Sequence, residues 1–202
     1  MKLLFAALRL IVGIAGLVAI VATFLDTASR AAINPFNFFG YFTMQSNILT
    51  VVMLLATAAA ILAGRTQSPL MLLLRASVTT YIVIVGIVYN TLLAGLEGGI
   101  SLEWANTVLH VAIPIYAAID WIFFGDRPAL AWNRFWIVLV YPIVWLIVVI
   151  IRGATDGWVP YPFLDPAQGY GVVALYSVAI AVAVVVVGAG VWAISRIRIL
   201  TP

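Results

Sequence analysis

Six long apolar stretches constrain this chain more than any other feature. They cover about residues 3–25, 38–63, 70–93, 102–124, 131–151 and 170–194. A stretch of roughly 20 apolar residues is long enough to cross the hydrocarbon core of a bilayer as an α-helix. Lipid offers the backbone no hydrogen-bond partners, so such a segment must bond its own N–H and C=O groups, as a helix does. We therefore predict an all-α fold, a polytopic bundle of six transmembrane helices, forming a single domain over residues 1–202.

The composition excludes several classes of protein. Of the 202 residues, 65% are hydrophobic and only 8% are charged, whereas a soluble domain carries about 25% charge. The net charge of +3 comes from basic residues scattered singly, so no basic patch indicates a nucleic-acid partner. The chain has no cysteine and one histidine, which leaves no credible metal site and no thiolate nucleophile. We expect no cofactor.

The distribution of the basic residues predicts the orientation of the bundle. In a six-span arrangement only Arg30 and Arg152 lie on one side of the membrane. The other eight basic residues lie on the opposite side: Lys2, Arg9, Arg65, Arg75, Arg127, Arg134, Arg196 and Arg198. Positive charge accumulates on the cytoplasmic side, so the N- and C-termini are both predicted to be cytoplasmic. We expect an integral protein of the bacterial cytoplasmic (inner) membrane.

Four charged residues near the inner ends of the spans are expected to be structural. Arg9, Arg75 and Arg134 lie where long side chains can reach the membrane interface. Asp120 lies near the inner end of the fourth span. We predict that it pairs with one of these arginines.

A polar stripe marks the start of the second span, in the segment FNFFGYFTMQSNILTVVMLL. Thr43, Ser46, Asn47 and Thr50 follow the spacing i, i+3, i+4 and i+7, which places them on one face of a helix. Gln45 points elsewhere. Because hydrocarbon cannot satisfy polar groups, this face is predicted to contact protein, a cavity or a substrate rather than lipid.

His110 lies at a depth similar to that of Thr43. It follows the outer end of the fourth span at Leu102 by eight residues, or about 12 Å of helix. Thr43 lies in the outer part of its own span. Histidine is the usual base near neutral pH and can activate a hydroxyl as a nucleophile. The alternative is that Thr43 bonds its own backbone carbonyl and His110 only bridges two helices.

Other polar residues are candidates for supporting roles. Asn47 is one turn from Thr43 and Asn106 one turn from His110, so either side chain could orient the pair or donate to an oxyanion. Glu103 shares the face of His110 and is a candidate to line a cavity. Tyr89 and Asn90, at the outer end of the third span, could line the same cavity or act as interfacial anchors.

Three segments carry a resemblance to a known family: FFGYFTMQSNIL, NTVLHVAIPIYAAIDW and WVPYPFLDP. In a six-span chain of this length they resemble the androgen-induced family, which includes the androgen-dependent regulator of tissue factor pathway inhibitor and bacterial six-helix relatives. The resemblance implies a membrane-embedded threonine hydrolase that cleaves fatty acid esters of hydroxy fatty acids. It implies Thr43 as the nucleophile and His110 as the catalytic histidine. The partners would be lipid or fatty acid esters that arrive from the bilayer, and membrane lipids.

Two other classes of function remain open at this point. A small transporter or channel would use the polar stripe as a translocation path and would need polar residues that continue to the inner side. The inner halves of the second and sixth spans are almost wholly Ala, Val, Leu and Ile, which weakens this alternative. In a structural membrane protein without chemistry, Thr43 and His110 would only bond helices together. The oligomeric state is left open.

Overall fold

The computed structural model describes residues 1–95 and 102–201. Within these residues there is no strand, and six helices are long and apolar enough to cross a membrane. They are Lys2–Arg30, Phe42–Leu62, Pro69–Leu93, Glu103–Phe123, Trp132–Thr155 and Tyr170–Ile194, called the first to the sixth helix below. The predicted helical class and six helices are confirmed, and these helices indicate an integral membrane protein.

Helix ends differ from the predicted spans where local signals decide them. The first helix continues to Arg30 because no glycine or proline follows Leu25 within it, and the Arg30 guanidinium bonds the Asp26 carboxylate at 3.0 Å, one turn back. The second helix begins at Phe42, because a separate short helix, Pro35–Phe38, precedes it. The fifth helix extends to Thr155 and is followed by Gly157 at φ +72°. Only glycine adopts such a backbone angle readily.

The third helix is the centre of the bundle. Buried residues make up 61% of its most apolar segment, against 11% for the fifth helix and 17% for the sixth. It packs against the second, fourth, fifth and sixth helices, while the first helix packs mainly against the second. The fifth and sixth helices expose many large aliphatic side chains. Since lipid solvates such side chains well, these two helices form the face most open to the bilayer.

Two π-helical turns lie next to each other near the ends of the third and fourth helices. The first is Tyr89–Leu93 and the second is Val108–Ala112. Gly86 lets the two helices approach closely, because a Cβ at this position would lie 2.8 Å from the Cβ of Pro114. π-Turns inside α-helices are rare and occur often at functional sites. This pair of π-turns holds both Tyr89 and His110.

A buried network of ion pairs joins the helices at the opposite end. Arg9 contacts Asp120 at 2.7 Å and Asp126 at 2.6 Å, and Arg75 contacts the same two carboxylates at 2.7 and 2.8 Å. The predicted pairing of Asp120 is confirmed and involves both arginines. The expectation that these two arginines extend to the membrane interface is wrong, because both side chains are buried: Arg9 is 0% and Arg75 4% exposed.

Candidate functional site

An apolar cavity of about 400 Å³ lies among the third, fifth and sixth helices. The start of the second helix and the loop before the sixth helix close one end of it. Most of its lining is aliphatic or aromatic, and its hydroxyl groups come from Thr43, Tyr89, Tyr161 and Ser177. A cavity of this size and character suits an apolar ligand with one or two polar groups.

Thr43 is the second residue of its helix and faces this cavity. Its Oγ1 atom lies 3.1 Å from the phenol oxygen of Tyr161, and its backbone N–H donates to the same oxygen at 3.1 Å. The backbone carbonyl one turn back, that of Phe39, instead accepts a bond from the Gln45 side chain. Phe39 itself lies before the helix, and the hydrogen-bond partner of the Thr43 hydroxyl among the described residues is Tyr161.

This arrangement separates Thr43 from the other helical threonines. Each of the others in the described helices donates its hydroxyl to the carbonyl four residues earlier: Thr23, Thr27, Thr50, Thr57, Thr79, Thr80, Thr91, Thr107 and Thr155. Such bonding is the usual role of threonine in a helix. It is the alternative that the sequence left open for Thr43, and the observed geometry does not support it there.

Tyr161 is a functional candidate that sequence reasoning missed, although it lies in the segment WVPYPFLDP. Its ring stacks on Phe163 at 5.2 Å between centroids and meets Tyr41 edge-on at 5.6 Å. Burial raises the pKa of the Tyr161 phenol to about 12, with the hydrogen bonds to Thr43 acting in the opposite direction. The phenol thus keeps its proton at neutral pH and can donate it in a hydrogen bond. The sequence signal that could have indicated Tyr161 is its position between two prolines in the loop before the sixth helix.

His110 is oriented by its own helix and by Tyr89. Its Nδ1 lies 3.1 Å from the carbonyl oxygen of Asn106, and since a carbonyl only accepts, the neutral ring carries its hydrogen on Nδ1. The Nε2 atom then has a lone pair available for a proton. The Tyr89 ring stacks on the imidazole at 3.9 Å between centroids, and the Tyr89 hydroxyl accepts a bond of 2.7 Å from the Asn106 side chain.

Among the described residues, no hydrogen bond joins Thr43 to His110, and two residues link them indirectly. The Asn47 amide donates to the carbonyl of Thr43 at 2.9 Å and to that of Leu109, the neighbour of His110, at 3.2 Å. Tyr89 lines the cavity together with Thr43 and stacks on His110. The structure thus places the two predicted residues in one region without bringing their reactive atoms into contact.

The remaining predicted site residues do not line this cavity. Asn90 is exposed and its amide donates to the carbonyls of Gly86 and His110, so it bonds backbone rather than facing the cavity. Glu103 is exposed in the first turn of the fourth helix. The cavity-lining role predicted for Asn90, Glu103 and Tyr89 therefore applies to Tyr89 alone.

The polar stripe of the second helix faces protein, as predicted. Ser46 and Asn47 are 0% exposed and Thr50 is 3% exposed. Gln45 points away from the stripe, and its side-chain oxygen accepts a bond from the Tyr141 hydroxyl. Only Thr43, at the start of the stripe, faces the cavity.

Comparisons with protein families, with curated proteins and with solved structures find no match to this chain. The function proposed below therefore rests on the geometry of the chain's own residues and on the resemblance of its three segments.

Proposed function

We propose that this protein is an intramembrane hydrolase of lipid esters, with Thr43 as nucleophile and His110 as general base. One observation carries the proposal: the Thr43 hydroxyl faces an apolar cavity and is not bound to the backbone of its own helix. The cavity offers apolar walls for an acyl chain and lies beside the two helices most open to lipid. The family resemblance adds the substrate class, fatty acid esters of hydroxy fatty acids.

The proposed reaction proceeds through an acyl-enzyme. The oxygen of Thr43 bonds to the ester carbonyl carbon while its proton passes to Nε2 of His110. The carbonyl then re-forms, the alcohol leaves, and His110 returns the proton to the departing oxygen. Water, deprotonated by His110, attacks the acyl-threonine and releases the fatty acid and free Thr43. No metal or cofactor takes part in these steps.

The reaction requires a rearrangement from the structure described here. Thr43 now bonds Tyr161, and the aromatic ring of Tyr89 packs on His110. Because Tyr89 lines the cavity beside Thr43 and stacks on the imidazole, we propose that rotation of its ring opens a path between nucleophile and base. Catalytic hydrogen bonds are often long or incomplete before substrate binds.

We also propose that both termini are cytoplasmic, in a bacterial inner membrane. The eight basic residues on one side of the six-span arrangement support this orientation. Thr43 and His110 would then lie in the outer half of the bilayer, where ester substrates enter sideways.

The test is hydrolysis of a long-chain p-nitrophenyl ester by the purified full-length protein in lipid nanodiscs. We expect Thr43→Ala and His110→Ala each to lower kcat on the order of 10³-fold or more, as loss of a nucleophile or its base does in other hydrolases. Thr27→Ala is the matched control, because the Thr27 hydroxyl bonds the Thr23 carbonyl on the first helix. It should keep the wild-type rate.

A fluorophosphonate probe gives an independent measurement. Peptide mapping should locate the phosphonate on Thr43, and His110→Ala should slow the labelling. Full hydrolytic activity in folded Thr43→Ala protein, or labelling at another residue, would contradict the proposal. Substrate-dependent flux in proteoliposomes that persists in Thr43→Ala would support a transporter instead.

A further inference from the structure

We propose that Tyr161 is a further catalytic residue, whose phenol O–H stabilises the negative charge that develops on the ester carbonyl oxygen. This inference rests on the proposed function, since it gives Tyr161 a role in attack by Thr43. It names the donor to the oxyanion, which neither the sequence pattern nor the resemblance supplied.

The position of the phenol relative to the nucleophile is the first argument. The phenol oxygen lies 3.1 Å from Oγ1 of Thr43. In the tetrahedral intermediate the carbonyl oxygen and Oγ1 are bonded to the same carbon, so a donor next to Oγ1 is also close to the carbonyl oxygen. Useful donors lie about 2.7–3.1 Å from the oxyanion. Among the described residues, the Tyr161 phenol is the side-chain group that contacts Oγ1, in a hydrogen bond that either hydroxyl can donate.

The direction of the phenol hydrogen is the second argument. The backbone N–H of Thr43 donates to the phenol oxygen, so the phenol uses one lone pair as an acceptor there. Its own hydrogen remains available to point at Oγ1 or at the oxygen of a bound ester. The raised pKa of Tyr161 means that this hydrogen is present at neutral pH.

The two amides considered from the sequence are less suited to this role. Both described bonds of the Asn47 amide go to backbone carbonyls, and its side chain is fully buried away from the cavity lining. The Asn106 amide donates to the Tyr89 hydroxyl and also lies outside the lining. Tyr161 lines the cavity and contacts the nucleophile.

The aromatic surroundings hold Tyr161 in place. Phe163 stacks on its ring, with an angle of 10° between the planes, and Tyr41 and Trp145 lie at 5.6 and 6.0 Å between centroids. A donor that is fixed before the reaction needs no reorganisation when charge develops, which is the source of its catalytic effect. Packing on several sides provides this fixation.

The chemical step can be written in full. The bond from Oγ1 of Thr43 to the carbonyl carbon forms, the C=O π electrons move to the carbonyl oxygen, and the Thr43 proton passes to His110. Tyr161 donates a hydrogen bond to that oxygen and keeps its proton. When the C=O bond re-forms, the C–O bond to the alcohol breaks and the leaving oxygen takes the proton from His110. Tyr161 ends unchanged.

The experiment compares Tyr161→Phe with Tyr41→Phe in the full-length protein. Tyr41 belongs to the same aromatic cluster, and its hydroxyl has no hydrogen bond among the described residues. We expect Tyr161→Phe to lower kcat about 10²–10³-fold, with KM nearly unchanged, because one oxyanion donor is lost. Tyr41→Phe should keep the wild-type kcat.

A second readout separates oxyanion stabilisation from a purely structural role. An aliphatic trifluoromethyl ketone forms a charged tetrahedral adduct with a nucleophilic hydroxyl. Its affinity should fall in Tyr161→Phe by the same factor as kcat/KM, since both report binding of the tetrahedral state. Should Tyr161→Phe fail to fold, 3-fluorotyrosine at position 161 keeps the ring and makes the phenol a stronger donor, so kcat should rise.

The outcomes distinguish this inference from the proposed function. Wild-type kcat and ketone affinity in Tyr161→Phe, or an unchanged kcat with 3-fluorotyrosine, would overturn the role of Tyr161. If Thr43→Ala is inactive in the same assays, the proposed hydrolase would still stand. Activity that survives in Thr43→Ala would refute the hydrolase itself.

Discussion

Arg9 illustrates how tertiary contacts decide the role of a single charged side chain. Its position near a helix end allows the side chain to reach the interface, yet it is fully buried. Its guanidinium bridges Asp120 and Asp126, and Arg75 makes the same pair of contacts from the third helix. Isolated buried charges are very unfavourable, but four groups with two charges of each sign compensate one another. The loss of any one of the four side chains would therefore leave a buried charge without its partner.

Removing one carboxylate should destabilise the whole protein. Asp120→Asn leaves two buried guanidinium groups sharing a single carboxylate, and loss of one partner from a buried pair weakens stability by about 3–5 kcal/mol. Unfolding titrations with sodium dodecyl sulfate in mixed micelles would measure the loss. Arg30→Gln is the control, because that side chain is 61% exposed and its pair with Asp26 contributes little. Equal stabilities of the two variants would contradict the prediction.

The same network predicts a response to acid through Asp126. Burial acts to raise the pKa of Asp126, but the charges and hydrogen bonds of Arg75 and Arg9 outweigh it and lower the pKa to about 2. A carboxylate with a lowered folded-state pKa stabilises the protein above its unfolded-state pKa of about 4. This contribution is lost as the pH falls through about 2.

Unfolding measured from pH 7 to pH 2 tests this response. The wild-type protein should be more stable than Asp126→Asn at neutral pH, and the difference should shrink below about pH 4. A difference that stays constant over the whole range would show that Asp126 does not titrate as expected.

At the scale of elements, the contact between the third and fourth helices positions the histidine. Gly86 allows the close approach, and the two π-turns place the Tyr89 ring on the imidazole of His110. Pro114 lies opposite Gly86 and its ring has little freedom to move away. The geometry around His110 therefore depends on Gly86, because any side chain at that position would separate the two helices.

Gly86→Ala should separate these helices. The new Cβ would lie 2.8 Å from the Cβ of Pro114, and overpacking of this kind destabilises by about 1–3 kcal/mol. We also expect lower hydrolytic activity, because His110 moves relative to Tyr89. Gly190→Ala on the sixth helix is the control: its Cβ would meet nothing within 4 Å, so the protein should gain about 0.5–1 kcal/mol. Both variants can be compared by detergent unfolding and by ester hydrolysis.

At the scale of the whole molecule, the beginning and the end of the chain meet the same segment, since the Phe5 ring stacks on that of Phe124 at 3.9 Å between centroids. The backbone N–H of Leu200 donates to the Phe123 carbonyl at 2.9 Å, so the end of the chain lies beside the connection that follows the fourth helix. This is the side that carries most of the basic residues.

The orientation can be tested in a chain that has no native cysteine. Ser29→Cys and Thr66→Cys place single exposed thiols on opposite sides of the six-helix arrangement. A membrane-impermeant maleimide added to intact bacterial spheroplasts should label Ser29→Cys at once. It should label Thr66→Cys only after lysis, because positive loops remain cytoplasmic. The reverse pattern would show an inverted orientation.

The sequence predicted the fold more completely than it predicted the residues of the site. Thr43 and the polar stripe were visible in the sequence because helical spacing puts them on one face, and that face does contact protein. The role of Tyr161 could not be predicted in this way. It lies 118 residues from Thr43 in sequence, and its loop has no regular spacing that would indicate which side chains face the protein. Glu103 was placed near His110 by spacing alone, yet the first turn of its helix is exposed.

The sequence by itself determined the helical class, the number of long apolar helices and the membrane setting. The reason is local: a backbone without water must bond itself, and roughly 20 apolar residues in succession do so as a helix. Only the tertiary structure decided which hydroxyl faces the cavity, which group bonds it, and that Asp120 pairs with two arginines. Those contacts depend on how each helix is rotated and tilted against its neighbours, and close packing across the bundle sets these angles.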